Sequence, residues 1–261
     1  MRDLFDLSNR VAIITGGGGL LGGEFALTLL RYGATVVLVD LDEQALARTL
    51  ERCAPQSDGR ATALTADITR QAAVTDLVRR VVEQFGHIDI LVNNATKKTS
   101  QFFASFETFP AEDWRQVIEV DLTGTFLCSQ QVGREMARRR QGNIVNISSI
   151  YGVVAPDQRL YDGLDFNTPA VYSVVKAGLL GLTRYLAAYW GDQGIRVNAI
   201  TPGGVRDGQP QIFQERYAAR TPLGRMAERT ELGAALLFLV SDASSYVTGQ
   251  NLIVDGGWTA W

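Results

Sequence analysis

Seven short runs of aliphatic and β-branched residues recur along this 261-residue chain, separated by longer stretches with helical spacing. The runs are Arg10–Thr15, Thr35–Asp40, Ala61–Asp67, Ile88–Asn93, Gly142–Ser148, Arg196–Thr201 and Asn251–Val254. Helical patterns fall near 20–32, 42–52, 70–85, 111–139, 170–191 and 228–240. Such alternation predicts an α/β fold, a parallel sheet of about seven strands with helices on both faces. The runs Val-Ala-Ile-Ile and Ile-Leu-Val are almost continuously apolar, as strands covered on both sides must be. With no linker, low-complexity tract or repeat, residues 1–261 read as a single domain.

Composition narrows the function classes. A hydrophobic fraction of 46% can fill a large core, and a net charge of −3 gives no reason to expect nucleic acid as a partner. The basic run Arg134 to Arg140 closes a helical pattern and reads as a solvated last turn. Two cysteines, Cys53 and Cys128, do not make a disulfide framework; a reducing cytoplasm is the expectation. The run Met-Arg-Asp-Leu-Phe-Asp-Leu-Ser at the start lacks the apolar core of a signal peptide. No apolar run reaches about 18 residues, so no membrane span is expected. No metal site is expected either. Lysine occurs only at 97, 98 and 176, which draws attention to each.

Two local patterns carry chemistry. Thr15-Gly-Gly-Gly-Gly-Leu-Leu-Gly22 follows the first strand and opens a helix, with Gly17, Gly19 and Gly22 at G-x-G-x-x-G spacing. Glycines there let the backbone approach a pyrophosphate seated on the helix N-terminus. Asp40 ends the second strand, where a carboxylate accepts both ribose hydroxyls of NAD and repels a 2′-phosphate. The neighbouring residue is Leu41 rather than a cation, so NAD is expected over NADP. Further on, Tyr172 and Lys176 stand four apart on a helical pattern and therefore share a face. A free phenol has a pKa of about 10. A neighbouring cation favours its phenolate form, so the pair reads as a proton donor and acceptor.

In order and spacing, these motifs resemble the short-chain dehydrogenase/reductase family over essentially the whole chain. Further matches are Ala66-Asp67-Ile68, Asp89-Ile-Leu-Val-Asn-Asn-Ala95, Asn143-Ile-Val-Asn-Ile-Ser-Ser149, Arg196-Val-Asn-Ala-Ile-Thr-Pro-Gly203 and Val247-Thr-Gly-Gln-Asn-Leu-Ile-Val-Asp-Gly-Gly257. The resemblance implies a Rossmann fold and oxidoreduction between an alcohol and a ketone. It implies cofactor contacts from Gly16, Gly18, Gly19, Leu21, Gly22, Asp40, Leu41, Asp67, Ile68, Asn94, Ala95, Tyr172, Lys176, Pro202, Gly203 and Val205. It also implies that Ser149 hydrogen-bonds the substrate oxygen, Tyr172 passes the proton and Lys176 assists the tyrosine and holds the nicotinamide ribose. Ser148 competes for the serine's role; Ser149 is preferred because Ile-Tyr-Gly152 follows it.

Four departures from the family pattern bear on the site. Leu20 replaces the usual middle glycine. Asp121 stands where the family carries a catalytic Asn, and it is kept as a fourth catalytic residue. Thr96 replaces a glycine and is followed by Lys97 and Lys98, giving three candidate substrate contacts beside Ser149 and Tyr172. The interval from Ser149 to Tyr172 is longer than is usual, with an insertion at about 153–170. That insertion is rich in Asp, Gln, Arg, Tyr and Asn, side chains able to satisfy several hydroxyls. A sugar, sugar acid or other polyhydroxylated, anionic small molecule is the expected substrate. An oxoacyl-carrier-protein reductase and a silent NAD-binding scaffold are the alternatives. The resemblance also implies a homotetramer, with helices 111–139 and 170–191 and the tryptophans Trp258 and Trp261 as interface material.

Overall fold

A computed structural model describes residues 3–261. Met1 and Arg2, the first residues of the N-terminal run read above, lie outside it. The apolar runs form seven strands: β1 (Val11–Thr15), β2 (Thr35–Asp40), β3 (Ala61–Thr65), β4 (Ile90–Asn93), β5 (Gly142–Ile147), β6 (Ile195–Pro202) and β7 (Asn251–Val254). They make one sheet in the order β3-β2-β1-β4-β5-β6-β7, every neighbouring pair parallel. This is the doubly wound Rossmann arrangement. The order reverses between β1 and β4, and the crevice beyond their C-terminal ends is where such sheets bind ligands.

The helices are α1 (Leu20–Arg31), α2 (Glu43–Ser57), α3 (Gln71–Phe85), α4 (Ala111–Ile118), α5 (Thr125–Arg139), α6 (Ala170–Trp190), α7 (Gln211–Arg220) and α8 (Glu231–Val240). They bury two apolar layers. One holds Phe25, Leu29, Leu38 and Leu236 on one sheet face; the other holds Val37, Val81, Met136 and Trp190 on the opposite face.

Several boundaries differ from the sequence pattern, each for a local reason. β3 ends at Thr65 because the Asp67 carboxylate accepts from Thr69 N (3.0 Å) and Thr69 Oγ1 (2.7 Å), turning the chain. α2 runs on through Pro55 to Ser57. The stretch 111–139 is helical throughout, but Glu119–Gly124 widens into π-helical turns between α4 and α5. α7 was not anticipated: it buries only Phe213 and Tyr217, too little to print a periodic stripe. The basic run is not wholly solvated either, since Arg139 reaches the buried Asp89 at 3.2 Å.

Polar residues in the sheet hold the crevice in register. Asp89 accepts from Val11 N at 2.9 Å, joining β4 to β1. Asn93 donates to Asn146 Oδ1 (2.8 Å), and Asn146 donates to Thr183 Oγ1 (2.9 Å). This buried ladder links β4 and β5 to α6, the helix that carries Tyr172 and Lys176. Buried hydrogen bonds of this kind fix one arrangement, because leaving a member unpaired is costly.

Candidate active site

At the switch point the chain leaves β1 through Gly16, whose φ of +66° puts it in the left-handed region. A side chain there would meet Ala95 Cα at 2.8 Å, and one at Gly22 would meet Gly16 O at 2.2 Å. The turn is therefore closed to any larger residue. α1 begins directly after it at Gly19, with no side-chain cap and no acid in its first turn. Its free N–H groups and positive dipole end suit a pyrophosphate. Asn94 donates to Thr15 O and Gly16 O, both at 3.1 Å, fastening the end of β4 to the turn. Asp40 accepts from Gly18 N (3.0 Å) and Leu41 N (2.8 Å), which fixes its carboxylate at the rim. These residues fit a dinucleotide.

The Tyr172-Lys176 spacing does what helix geometry requires. Lys176 Nζ lies 5.5 Å from the Tyr172 ring centroid. The lysine is only 4% exposed and donates to Ile147 O at 3.2 Å. It pairs with Asp121 Oδ2 at 3.4 Å. Asp121, 1% exposed, also accepts from Thr96 Oγ1 (2.7 Å) and Lys97 N (2.9 Å). The π-helical turns deliver this carboxylate to the lysine, and π-bulges recur at functional sites. Two departures from the family pattern, Thr96 and Asp121, are thus one feature: the threonine hydroxyl satisfies the carboxylate that replaces the amide.

The two serines make different bonds. Ser148 Oγ donates to Lys176 O at 2.8 Å, so it holds the helix. Ser149 accepts from Tyr151 N at 3.2 Å, and both serines line the cleft.

One cleft of about 860 Å³ gathers most of the residues singled out from sequence. Gly16, Gly19, Leu21, Asp40, Asn94, Ser149, Tyr172, Lys176, Pro202, Gly203 and Val205 line it, with Thr96 and Lys98. Gly18, Gly22, Leu41, Asp67, Ile68, Ala95, Lys97 and Asp121 are not on its wall; the Asp121 carboxylate lies buried behind Lys176. Gly18 and Gly22 shape the turn behind the cleft, and Ile68 packs under Gly124. Thr96 was read as a substrate contact, yet its hydroxyl is committed to Asp121.

The far wall mixes polar and aromatic groups. Some polar side chains of insertion 153–170 are paired within the protein, while Asp165, Asn167 and Thr168 line the cleft. Asp157 binds Arg159 (2.8 Å) and Arg220, and Tyr161 Oη pairs with Tyr151 Oη and Thr168 Oγ1. The Arg159 guanidinium holds the Asp157 carboxyl down at about 2. Burial raises the hydroxyl pKa of Tyr151 and Tyr161; the same cause pushes Tyr217 up beyond its ordinary range. The insertion turns Tyr161, Asp165, Phe166, Asn167 and Thr168 to the cleft, and the two rings join Phe102, Phe103, Phe213 and Tyr217. Trp258, expected at an interface, is 4% exposed and stacks on Tyr217 at 4.3 Å; Trp261 is exposed.

A family model described as enoyl-(acyl carrier protein) reductase matches residues 20–259. The chain belongs to the short-chain dehydrogenase/reductase family. The family's members are oxidoreductases that use NAD or NADP, and this fold carries their nucleotide site. The chain is 38% identical to cis-4-hydroxycyclohexanecarboxylate dehydrogenase of Sinomonas cyclohexanicum, over 97% of this chain and 98% of the relative. A gluconate 5-dehydrogenase from Burkholderia cenocepacia, solved with NADP and tartrate, superposes with a TM-score of 0.87 at 34% identity, covering 99% and 98% of the two chains. A xylitol dehydrogenase bound to NAD+ superposes with a TM-score of 0.85 at 29% identity, covering 96% and 99%.

Proposed function

We propose that this protein interconverts a secondary alcohol and a ketone with NAD, acting on a sugar, sugar acid or related hydroxylated small molecule. The observation that carries this reading is the convergence of Ser149, Tyr172 and Lys176 at the inner end of a cleft whose other end is the glycine turn and Asp40.

The nicotinamide supplies the hydride chemistry when bound. The residues of this chain do the rest. Ser149 Oγ donates to the substrate oxygen and orients it. Tyr172 takes the hydroxyl proton as the alcohol is oxidised, and returns it in the reverse direction. Lys176, held between Ile147 O and Asp121, keeps a positive charge beside the phenol. Asp121 positions that lysine, and Thr96 and the Lys97 amide position Asp121. The glycine turn and the start of α1 hold the pyrophosphate. Asp40 accepts the adenosine ribose hydroxyls and disfavours a 2′-phosphate, which supports NAD. Pro202, Gly203 and Val205 border the nicotinamide end.

Lys98, Asp165, Asn167, Thr168, Asp207 and Gln209 on the cleft wall support a hydroxylated substrate. Relatives that act on xylitol, gluconate and a hydroxycyclohexanecarboxylate agree with that class. No helix among the described residues is long and apolar enough to cross a membrane, in keeping with the cytoplasmic placement we propose. For assembly we propose a homotetramer through α5 and α6. Leu179, Leu180 and Leu186 of α6 are buried in the fold itself, but Phe126, Tyr185 and Tyr189 remain exposed, and the two tyrosine rings stack at 5.9 Å.

The test is NAD reduction with a panel of secondary alcohols, repeated with Tyr172→Phe. Turnover should fall by about a thousand-fold or more while NAD binding, followed by fluorescence titration, persists. Unchanged turnover in the variant rejects the proposed proton path.

A further inference from the structure

The aromatic wall of the cleft is continuous with the reacting centre. The Tyr172 ring meets Phe102 edge-on at 6.3 Å, Phe102 meets Phe103 at 5.5 Å, and Phe103 meets Phe166 at 5.9 Å. Phe166 is backed by Tyr161 at 5.7 Å and by Phe213 at 5.4 Å. Burial is uneven along this chain of rings. Phe102, Tyr161 and Phe213 are buried, whereas Phe103 is 43% exposed and Phe166 half-buried. The open ring surface of the wall is therefore concentrated on two residues, from loops 63 positions apart in sequence.

Those loops are joined. Asn167 Nδ2 donates to Phe103 O at 3.0 Å, so the insertion and the segment after β4 present their phenylalanines together. Behind them the Asp157–Arg220 pair ties the insertion to α7. A solvent-facing aromatic pair inside a cleft, with buried rings fixing its orientation, is a platform for a flat apolar face. An open-chain polyol presents hydroxyls in all directions. A six-membered ring presents a broad face of C–H groups and directs its hydroxyls to the rim.

We propose that Phe103 and Phe166 select a substrate whose reacting hydroxyl is borne on a six-membered ring, with the ring face lying on the two phenylalanines and the carbinol carbon at Tyr172. This rests on the dehydrogenase reading above and narrows its substrate class from hydroxylated molecules in general to cyclic ones. The chemistry is unchanged: one hydride and one proton leave the carbinol, and a cyclic ketone forms.

The test compares kcat/KM with NAD for ring and open-chain alcohols matched in carbon number and polarity: cyclohexanol against hexan-2-ol, and inositol against galactitol. Ring alcohols should exceed their open-chain partners by about 10-fold or more, the discrimination that a well-fitted apolar surface provides. Phe166→Leu and Phe103→Leu keep apolar volume but remove the flat face. Each should lower kcat/KM for ring alcohols by about 10-fold more than for open-chain alcohols. Parity between ring and open-chain alcohols in the wild type, or an equal loss for both in the variants, overturns the proposal while leaving the dehydrogenase reading intact. Absence of turnover for every alcohol with either NAD or NADP overturns the dehydrogenase reading and this inference with it.

Discussion

The two walls of the cleft are made by opposite means. On the nucleotide side the wall is backbone. Three strand ends, a glycine turn and a helix terminus come within reach of a ligand because side chains are missing there. On the substrate side the wall is side chain. Rings from residues 102, 103, 161, 166, 213 and 217 meet over the C-terminal strand ends, drawn from three separate segments. Asp121 and Lys176 stand between the two walls. The contrast teaches that one side of this site has little freedom to vary, while the other varies with a single substitution.

The pair between the walls should be the most sensitive point. Asp121→Ala leaves the Lys176 ammonium buried without its carboxylate, which costs about 3–5 kcal/mol; a urea titration with far-UV dichroism reads it. Asp121→Asn keeps acceptor and shape, and should lose clearly less stability than the alanine variant. Equal losses would mean that the charge of Asp121, and not its hydrogen-bond acceptors, accounts for its whole effect.

Next comes the nucleotide wall. Gly22→Ala drives a methyl into Gly16 O, and overpacking of this kind costs about 1–3 kcal/mol. Dinucleotide affinity by calorimetry should weaken about 10- to 100-fold, with the KM for alcohol little changed. A shift in alcohol KM larger than the shift in dinucleotide affinity would erase the distinction between the walls.

The rim carries a smaller effect. Asp40→Asn keeps the hydrogen bonds from Gly18 and Leu41 but removes the charge. The ratio of kcat/KM for NAD to that for NADP should fall about 10-fold, roughly the effect of one screened charge near a phosphate. An unchanged ratio would show that Asp40 caps the turn and nothing more.

The smallest effect lies behind the aromatic wall. Arg159 and Arg220 hold Asp157, whose folded value of about 2 is below the unfolded value near 3.9. Its contribution to stability is therefore whole above about pH 5 and lost as the pH falls through about 2. Melting temperatures of the wild type and Asp157→Asn should differ at neutral pH and converge near pH 2. A difference that persists there would assign the effect to packing.

The sequence read the two walls unequally for the same physical reason. Backbone sites need glycines at fixed spacing beside a strand and a helix, so the turn, Asp40 and the Tyr172-Lys176 pair were visible in short windows. All seven strands were visible too, because strands buried on both faces leave apolar runs. The aromatic wall left no such mark. Phe103 and Phe166 are ordinary residues in two loops, and only the fold sets them 5.9 Å apart. The composition of the insertion does not show which polar side chains turn inward: Asp157 and Tyr161 find partners inside the protein, while Asp165, Asn167 and Thr168 line the cleft. α7 was missed because two buried residues in ten make no stripe. Ser148 and Ser149 differ in their bonds, the first to Lys176 O and the second to Tyr151 N, and adjacent serines in a sequence do not show that difference.

The most direct test of the account is transfer of label. A secondary alcohol carrying deuterium on its carbinol carbon is oxidised with NAD, and the reduced dinucleotide is weighed by mass spectrometry. The account predicts one deuterium in the reduced dinucleotide for each ketone formed, since the hydride passes directly within the cleft. Unlabelled reduced dinucleotide, or ketone formed without reduction of the dinucleotide, would contradict it.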